Sequence, residues 1–189
     1  MLKPEPKGET NKAPCIIIFC SFEQTYLLSE YAKQFGFKHS MPLFFIKDYS
    51  PQVLKANMRP VGAVEFALLL YRDKLPKFNN NGKMVFNWFN WGRDDETKIH
   101  PTQKPIGILE RLIEVFTDED DTVIDPCAGS GSTLIASRNL LRNSYGFEIS
   151  KEFYAKARVW IDNASINLFN HQYVPSKPKN EQLSVFNDK

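Results

Sequence analysis

The sequence predicts an α/β fold, strands alternating with helices around a buried sheet, and three features carry that expectation. Residues 122–133, TVIDPCAGSGST, form a short apolar run that ends in an aspartate and breaks into a glycine-rich turn. A second short run, residues 145–148, ends in a glutamate about 20 residues further on, the spacing of an acid that reaches ribose hydroxyls in a nucleoside-binding βαβ unit. Apolar runs at residues 15–20, 41–47 and 65–71 supply further strands.

Residues 1–14 are polar and aperiodic, with Pro and Lys, and read as a mobile lead-in. The globular part starts abruptly: CIIIFC at residues 15–20 reads as a central, fully buried strand, followed by a helix over residues 22–35 that Gly36 terminates. A chain that begins with its most buried strand is expected to have had something before it. After the strands at 41–47 and 65–71 comes a loop, residues 75–83, with an Asn-Asn-Asn-Gly turn. MVFNWFNW at residues 84–91 is strand-like; its aromatic density fits a base-stacking edge or a hairpin covering the sheet, and the hairpin is preferred. Residues 93–98 are charged and exposed in this reading.

The prolines of His100-Pro-Thr-Gln-Lys-Pro fix a rigid turn before an amphipathic helix at residues 106–116. Residues 118–121 are an acidic connection into the strand that ends at Asp125, and a helix over residues 134–141 follows the glycine turn. Ser150 caps a last helix that runs to about Ile166 with Phe153, Ala157 and Ile161 on one face. From His171 onward the chain is aperiodic and reads as disordered. The expected organisation is one domain over residues 15–170, with an insert at about 72–99 and flexible ends at 1–14 and 171–189.

The chemistry concentrates at the glycine turn. Thr122, Val123 and Ile124 are β-branched and lead into Asp125 at the carboxyl edge of a sheet. Gly129 and Gly131 let the backbone turn tightly, and Ser132 or Thr133 can cap the helix that follows. A ligand can approach the backbone closely there, and an acidic strand end can accept from an ammonium or hydroxyl group. GSG lacks the third glycine of the dinucleotide fingerprint, and no Gly-Lys-Ser/Thr follows as in a P-loop. Asp125 would also repel a pyrophosphate, so the site favours a positively charged nucleoside over NAD or ATP.

With 189 residues, 42% of them apolar, the chain has enough material for one domain with a sizeable core. A formal net charge of +2 neither argues for nucleic acid nor opposes it. The 15 Phe and 7 Tyr are read first as core packing and second as base stacking. Cys15, Cys20 and Cys127 are scattered without a CxxC pair, which fits buried thiols in a reducing cytoplasm rather than a disulfide frame or a metal site. The apolar run at 15–20 is too short for a signal peptide or a membrane span.

Three stretches together resemble the β class of DNA amino-methyltransferases: HPTQKP at 100–105, DPCAGSGST at 125–133 and GFEIS at 146–150. These occur in the family's order HPTxKP, DPFxGxGT, Gly-x-Glu, with Cys127 in place of the usual Phe and Ser132 ahead of the usual Thr. The strand ending FCS, the FFIKD strand, the region of Asn57 and Arg59, and EFALLLYRD are similar to what that family carries between its catalytic motif and its target-recognition region. The resemblance implies a Rossmann-like methyltransferase sheet flanked by helices, incomplete at its N-terminal side. It implies S-adenosylmethionine as cofactor and double-stranded DNA as partner, with a homodimer or a complementing subunit as further partners. Asp125 and the backbone around Gly129 and Gly131 would hold the methionine end of the cofactor and Glu148 its ribose, with Cys127, Ser132 and Thr133 also among the cofactor-binding residues. Thr102, Lys104 and Pro105 would close over the methionine moiety, Lys104 reaching its carboxylate. His100 is read as bracing a turn rather than acting as a base.

The family's catalytic motif, an Asp, Asn or Ser followed by Pro-Pro and an aromatic residue, has no counterpart, since no Pro-Pro dipeptide occurs in the 189 residues. That motif accepts a hydrogen bond from the target amino group and stacks on a flipped base. Three readings follow. The chain is the cofactor-binding portion of such a methyltransferase, weak or inactive alone; or a noncatalytic module that binds S-adenosylmethionine or DNA and needs a partner; or an unrelated nucleotide-binding protein.

Overall fold

A computed structural model describes residues 12–50, 53–92 and 98–164; the stretch read as charged and exposed at 93–97, most of the lead-in and the whole tail from His171 lie outside the described residues. The elements in chain order are β1 (Ile16–Cys20), α1 (Phe22–Lys33), β2 (His39–Lys47), a 3-10 turn (Val53–Lys55), β3 (Val64–Tyr71), β4 (Trp88–Trp91), α2 (Ile106–Phe116), β5 (Thr122–Asp125), α3 (Ser132–Asn139), β6 (Asn143–Gly146) and α4 (Lys151–Ala164). The α/β expectation holds, with the strands divided between two sheets. The larger runs β1-β3-β2-β4, the smaller β5-β6. β3 is antiparallel to β1 and β2, whereas β4 joins β2 and β6 joins β5 in parallel.

β1 is a sheet edge, not the central, fully buried strand expected from its composition, and all five of its residues are half-buried. The apolar run has a different cause. Ile16, Ile18 and Cys20 pack with Leu28 and Ala32 of α1, while Cys15, Ile17 and Phe19 pack on the opposite face with Phe45, Trp91 and the α2 residues Ile108 and Leu112. Both faces are covered and, among the described residues, one edge is open, a state that periodicity alone does not distinguish from a central strand. Burial pushes the Cys15 thiol up to about 12, and Cys15, Cys20 and Cys127 are all free.

The preferred hairpin at residues 84–91 is also corrected. Only Trp88–Trp91 forms a strand, and it extends the larger sheet in its own plane. Phe89 and Trp91 point into the core, which explains the aromatic density on that side, while Phe86 and Trp88 stack outside it with ring centroids 6.0 Å apart. The lead-in is pinned before its expected end: Ala13 is buried and bridges Pro76, its N–H donating to the Leu75 carbonyl at 3.3 Å.

Phe45 is the centre of the larger core, with 0% of its surface exposed. Its ring lies 5.0 Å from Phe19, 5.4 Å from Phe89 and 5.9 Å from Trp91. Helix α2 then joins the two sheets. Ile108 and Leu112 enter this core, whereas Leu109 and Ile113 pack with Ala136 of α3 and Val123 of β5. Asn79, read as part of a turn, closes the far end of α2 by donating its amide to the carbonyls of Thr117 at 2.7 Å and Glu114 at 3.2 Å.

Truncating the central ring removes partners on three sides at once. Phe45→Ala is therefore expected to lower the unfolding free energy by about 3–5 kcal/mol, measured by urea denaturation.

Candidate functional site

The candidate site is the turn between β5 and α3. β5 ends at Asp125, and the backbone reverses through Gly129 at φ +53° and Gly131 at φ +83°, conformations that a Cβ disfavours. Gly131 is itself the N-cap of α3, which has no side-chain cap. Ser132 and Thr133 are therefore the first helical residues and not its caps; a left-handed glycine makes the turn without help from a hydroxyl. The Ser132 hydroxyl instead pairs with that of Ser130 at 2.7 Å, both side chains buried. The first N–H groups of the helix therefore have no side-chain acceptor from its cap.

Two carboxylates hold this turn. Asp125 Oδ1 accepts the Cys127 N–H at 3.0 Å. Glu148 accepts the Gly129 N–H on Oε2 at 2.9 Å and the Ser150 N–H on Oε1 at 2.8 Å. β6 ends at Gly146, two residues short of the expected strand end, so Glu148 lies on the continuation of the chain beside the turn. That continuation is bonded to the turn on both sides: the Phe147 N–H donates to the Asp125 carbonyl and the Ala128 N–H to the Phe147 carbonyl, both at 2.9 Å. Asp125 and Gly146 are register partners on neighbouring parallel strands. The two acids thus come from adjacent strand ends to one loop, each by charge-assisted bonds to its amides.

Side chains also pack close above the glycines. A Cβ on Gly129 would lie 3.5 Å from the His100 ring, and one on Gly131 would lie 2.8 Å from Ile161 Cδ1. A Cβ on Gly146 would lie 2.7 Å from Leu134 Cδ1. His100 meets the Phe153 ring at 4.3 Å between centroids, and its Nδ1 lies 3.2 Å from the Thr102 N–H donor and 3.1 Å from the Thr102 hydroxyl. His100 therefore braces its own turn. The face of α4 read from the sequence, Phe153, Ala157 and Ile161, is the face laid against the glycine turn and His100. The sequence marked that face but not its target.

Lys104 points elsewhere. Its ammonium lies 5.1 Å from the Phe19 ring centroid and 5.7 Å from that of Trp91, and donates to the Thr102 carbonyl at 3.4 Å. Burial holds its pKa below the usual lysine value; Glu65 opposes that shift and Lys47 adds to it. Lys47 is paired to Glu65 at 2.5 Å and lies 5.0 Å from the Trp91 ring. Pro105 is the N-cap of α2. The predicted residues form two groups: Asp125, Cys127, Gly129, Gly131, Ser132, Thr133 and Glu148 at the turn with Thr102 beside it through His100, and Lys104 and Pro105 toward the larger sheet. The aromatic cage around Lys104 is long-range, with Phe19 and Trp91 far apart in sequence, and no local pattern announced it.

Residues 10–159 match the model of the N6/N4 methylase family, described as DNA methylase. The type II methyltransferase M2.MboI of Moraxella bovis is 52% identical over 54 residues, 29% of this chain and 20% of that protein. The DNA adenine methyltransferase YhdJ of Escherichia coli is 32% identical over 143 residues, 70% of this chain and 48% of that protein. The crystal structure of the M1.HpyAVI–SAM complex superposes with a TM-score of 0.66 at 30% identity, covering 77% of this chain and 72% of that one. The chain spans half the length or less of these two curated relatives. Among the described residues no helix is long and apolar enough to cross a membrane.

Two outcomes follow from this geometry. Gly131→Ala places a methyl group 2.8 Å from Ile161 Cδ1 on a left-handed backbone, and a loss of about 1–3 kcal/mol in urea denaturation is expected. The native state holds Lys104 below the ordinary value of 10.5, so above the lowered pKa the unfolded chain binds more protons. Wild type should gain stability relative to Lys104→Met as pH rises from the lowered pKa towards the ordinary 10.5, and a flat difference in denaturation midpoint on approach to 10.5 would contradict the desolvated ammonium.

Proposed function

The chain belongs to the DNA methylase family, and on that premise we propose that it is the cofactor-binding portion of a DNA amino-methyltransferase that uses S-adenosylmethionine to modify adenine or cytosine. The observation that carries this reading is the glycine turn gripped by two carboxylates from adjacent strand ends, ahead of a helix with no side-chain cap. The donor set fits the cofactor's charges: an ammonium and a sulfonium favour the anionic strand end at Asp125, and a carboxylate favours helix-terminal amides and a lysine. When bound, S-adenosylmethionine supplies a methyl group on a sulfonium, activated for transfer to a nucleophilic nitrogen.

In this reading Asp125 and the amides around Gly129 and Gly131 orient the methionine end, with Cys127, Ser132 and Thr133 lining the same turn. Glu148 has one role in the structure and a second in the proposal. It fixes the turn through Gly129 and Ser150, and its remaining lone pairs accept from ribose hydroxyls. Thr102 and Pro105 belong to the strap that shields the site from water, and Lys104, with a single long backbone bond in the structure, has N–H capacity left for a carboxylate. Double-stranded DNA is the proposed substrate, a homodimer or a complementing subunit the proposed assembly, and the free thiols support a cytoplasmic setting.

No Asp, Asn or Ser followed by Pro-Pro is present to accept a hydrogen bond from the target amino group. Methyl transfer by these 189 residues alone is therefore expected to be weak or absent. The same observation favours a second reading, a noncatalytic module that holds S-adenosylmethionine or DNA for a partner carrying the motif.

Titration calorimetry with S-adenosylmethionine tests the cofactor assignment: Asp125→Ala and Glu148→Ala should each weaken binding about tenfold or more, near 1.4 kcal/mol. Binding that ignores both substitutions removes it. Alkylation of the exposed Cys127 should block the same binding. A radiolabelled methyl-transfer assay on unmodified DNA should give no turnover with this chain alone, and measurable turnover would refute the expected inactivity.

A further inference from the structure

The face of the larger sheet that holds the Phe45 core ends in two charges. Glu65 of β3 is the register partner of Phe45, and Lys47 of β2 is that of Trp91; residues paired across a sheet, and alternate residues along a strand, share a face. Both side chains therefore stand on the apolar side. The Lys47 side chain is only 13% exposed and that of Glu65 40%, and the two form an ion pair at 2.5 Å. The Trp91 ring carries a second cation: the Lys47 ammonium lies 5.0 Å from its centroid and the Lys104 ammonium 5.7 Å. One carboxylate thus acts on two ammonium groups. It is committed to Lys47, whereas Lys104 has ring faces and the long bond to the Thr102 carbonyl.

We infer that Glu65 is a positioning residue for Lys104: by holding Lys47 in an ion pair, it leaves Lys104 as the ammonium at the Trp91 ring that takes a ligand's carboxylate. The inference rests on the cofactor reading, in which that carboxylate belongs to an amino acid moiety. Two ammonium groups beside one indole repel each other in a site partly shielded from water, and the Glu65 carboxylate offsets that repulsion. With two positive charges and one negative, the cluster has room for a second carboxylate. Were Glu65 uncharged, Lys47 would be released to compete for the same anion, and Lys104 would lose the carboxylate that favours its charged form. Both consequences make Lys104 matter less. The other elements add no charge to this group among the described residues. β1 brings Phe19 and the Cys15 thiol, which burial pushes up to about 12, and α2 brings Ile108 and Leu112. The Tyr49 ring, just past β2, lies 5.9 Å from the Lys47 ammonium.

The test is a double-mutant cycle on the full chain, read by titration calorimetry with S-adenosylmethionine at neutral pH. Lys104→Met should weaken binding about tenfold in wild type but about threefold or less in the Glu65→Gln background. A Glu65 that only supports β3 would leave the cost of Lys104→Met the same in both backgrounds, so equal costs overturn the inference. A second readout needs no ligand. In a heteronuclear NMR titration of the Lys104 Nζ, the midpoint should fall on Glu65→Gln, because the ammonium loses a favourable charge, and should recover when Lys47→Met removes the unfavourable one. A midpoint that ignores Glu65→Gln also overturns the inference. If wild type binds no S-adenosylmethionine, the cofactor reading falls by itself. The midpoint then decides the rest: unmoved, it removes Glu65 from any role at Lys104, and lowered, it keeps Glu65 as the residue that sets the Lys104 charge.

Discussion

The Glu148 carboxylate is the interaction on which the site depends. Its two oxygens accept from Gly129 in the glycine turn and from Ser150 at the start of α4, so one side chain ties the loop after β5 to the segment after β6. Without it the turn would retain the Asp125–Cys127 bond, the Ser130–Ser132 hydroxyl pair, the Gly131 N–H to Ala128 carbonyl bond and the backbone bonds to Phe147. Charge-assisted bonds to amides are among the stronger single contacts available to a loop. They also place negative charge beside a helix that starts without a side-chain cap. A ligand that brings both a cation and hydroxyl donors would find complementary groups already fixed there, so little ordering would accompany binding.

What fixes the turn from above is steric. His100 covers Gly129, Ile161 and Ala157 crowd Gly131, and Leu134 crowds Gly146. A Cβ at Gly131 or Gly146 would come within 3.0 Å of Ile161 or Leu134 and force that side chain to shift, whereas one at Gly129 would meet His100 at ordinary contact distance. The sequence reading assigned two of the three glycines to backbone freedom alone. The structure adds that the freedom is used to bring α3, α4 and the His100 turn close together around the loop.

Much of the architecture was legible because it is local. The helix at 106–116, the β5 strand with its terminal aspartate, the Gly36 stop and the apolar face of α4 all follow from periodicity and turn chemistry over a few residues. The errors share one cause. The position of β1 in the sheet, the in-plane role of Trp88–Trp91 and the length of β6 depend on which neighbour lies across a hydrogen-bonded edge, and strand composition reports the faces rather than the edges. The same limit hid the Lys104 cage. Lys104 was read as a hand for a carboxylate because of the motif around it, whereas Phe19 and Trp91, which receive it, come from strands far away in the chain.

The residues 100–105 join these two observations. At one end of the strap His100 rests on Gly129 and Phe153, over the smaller sheet; at the other, Lys104 is held between Phe19 and Trp91 of the larger. Two prolines limit how far the intervening backbone can yield, so the strap is a short stiff link between the glycine turn and the β1 edge. Phe19 contacts Lys104, and Lys104 in turn donates to the Thr102 carbonyl of the residue that braces His100. The two ends differ in character. His100 is held by ring contact and two hydrogen bonds, Lys104 by ring faces and one long hydrogen bond. The cation therefore lies at the aromatic end of the strap and the two carboxylates at its glycine-turn end.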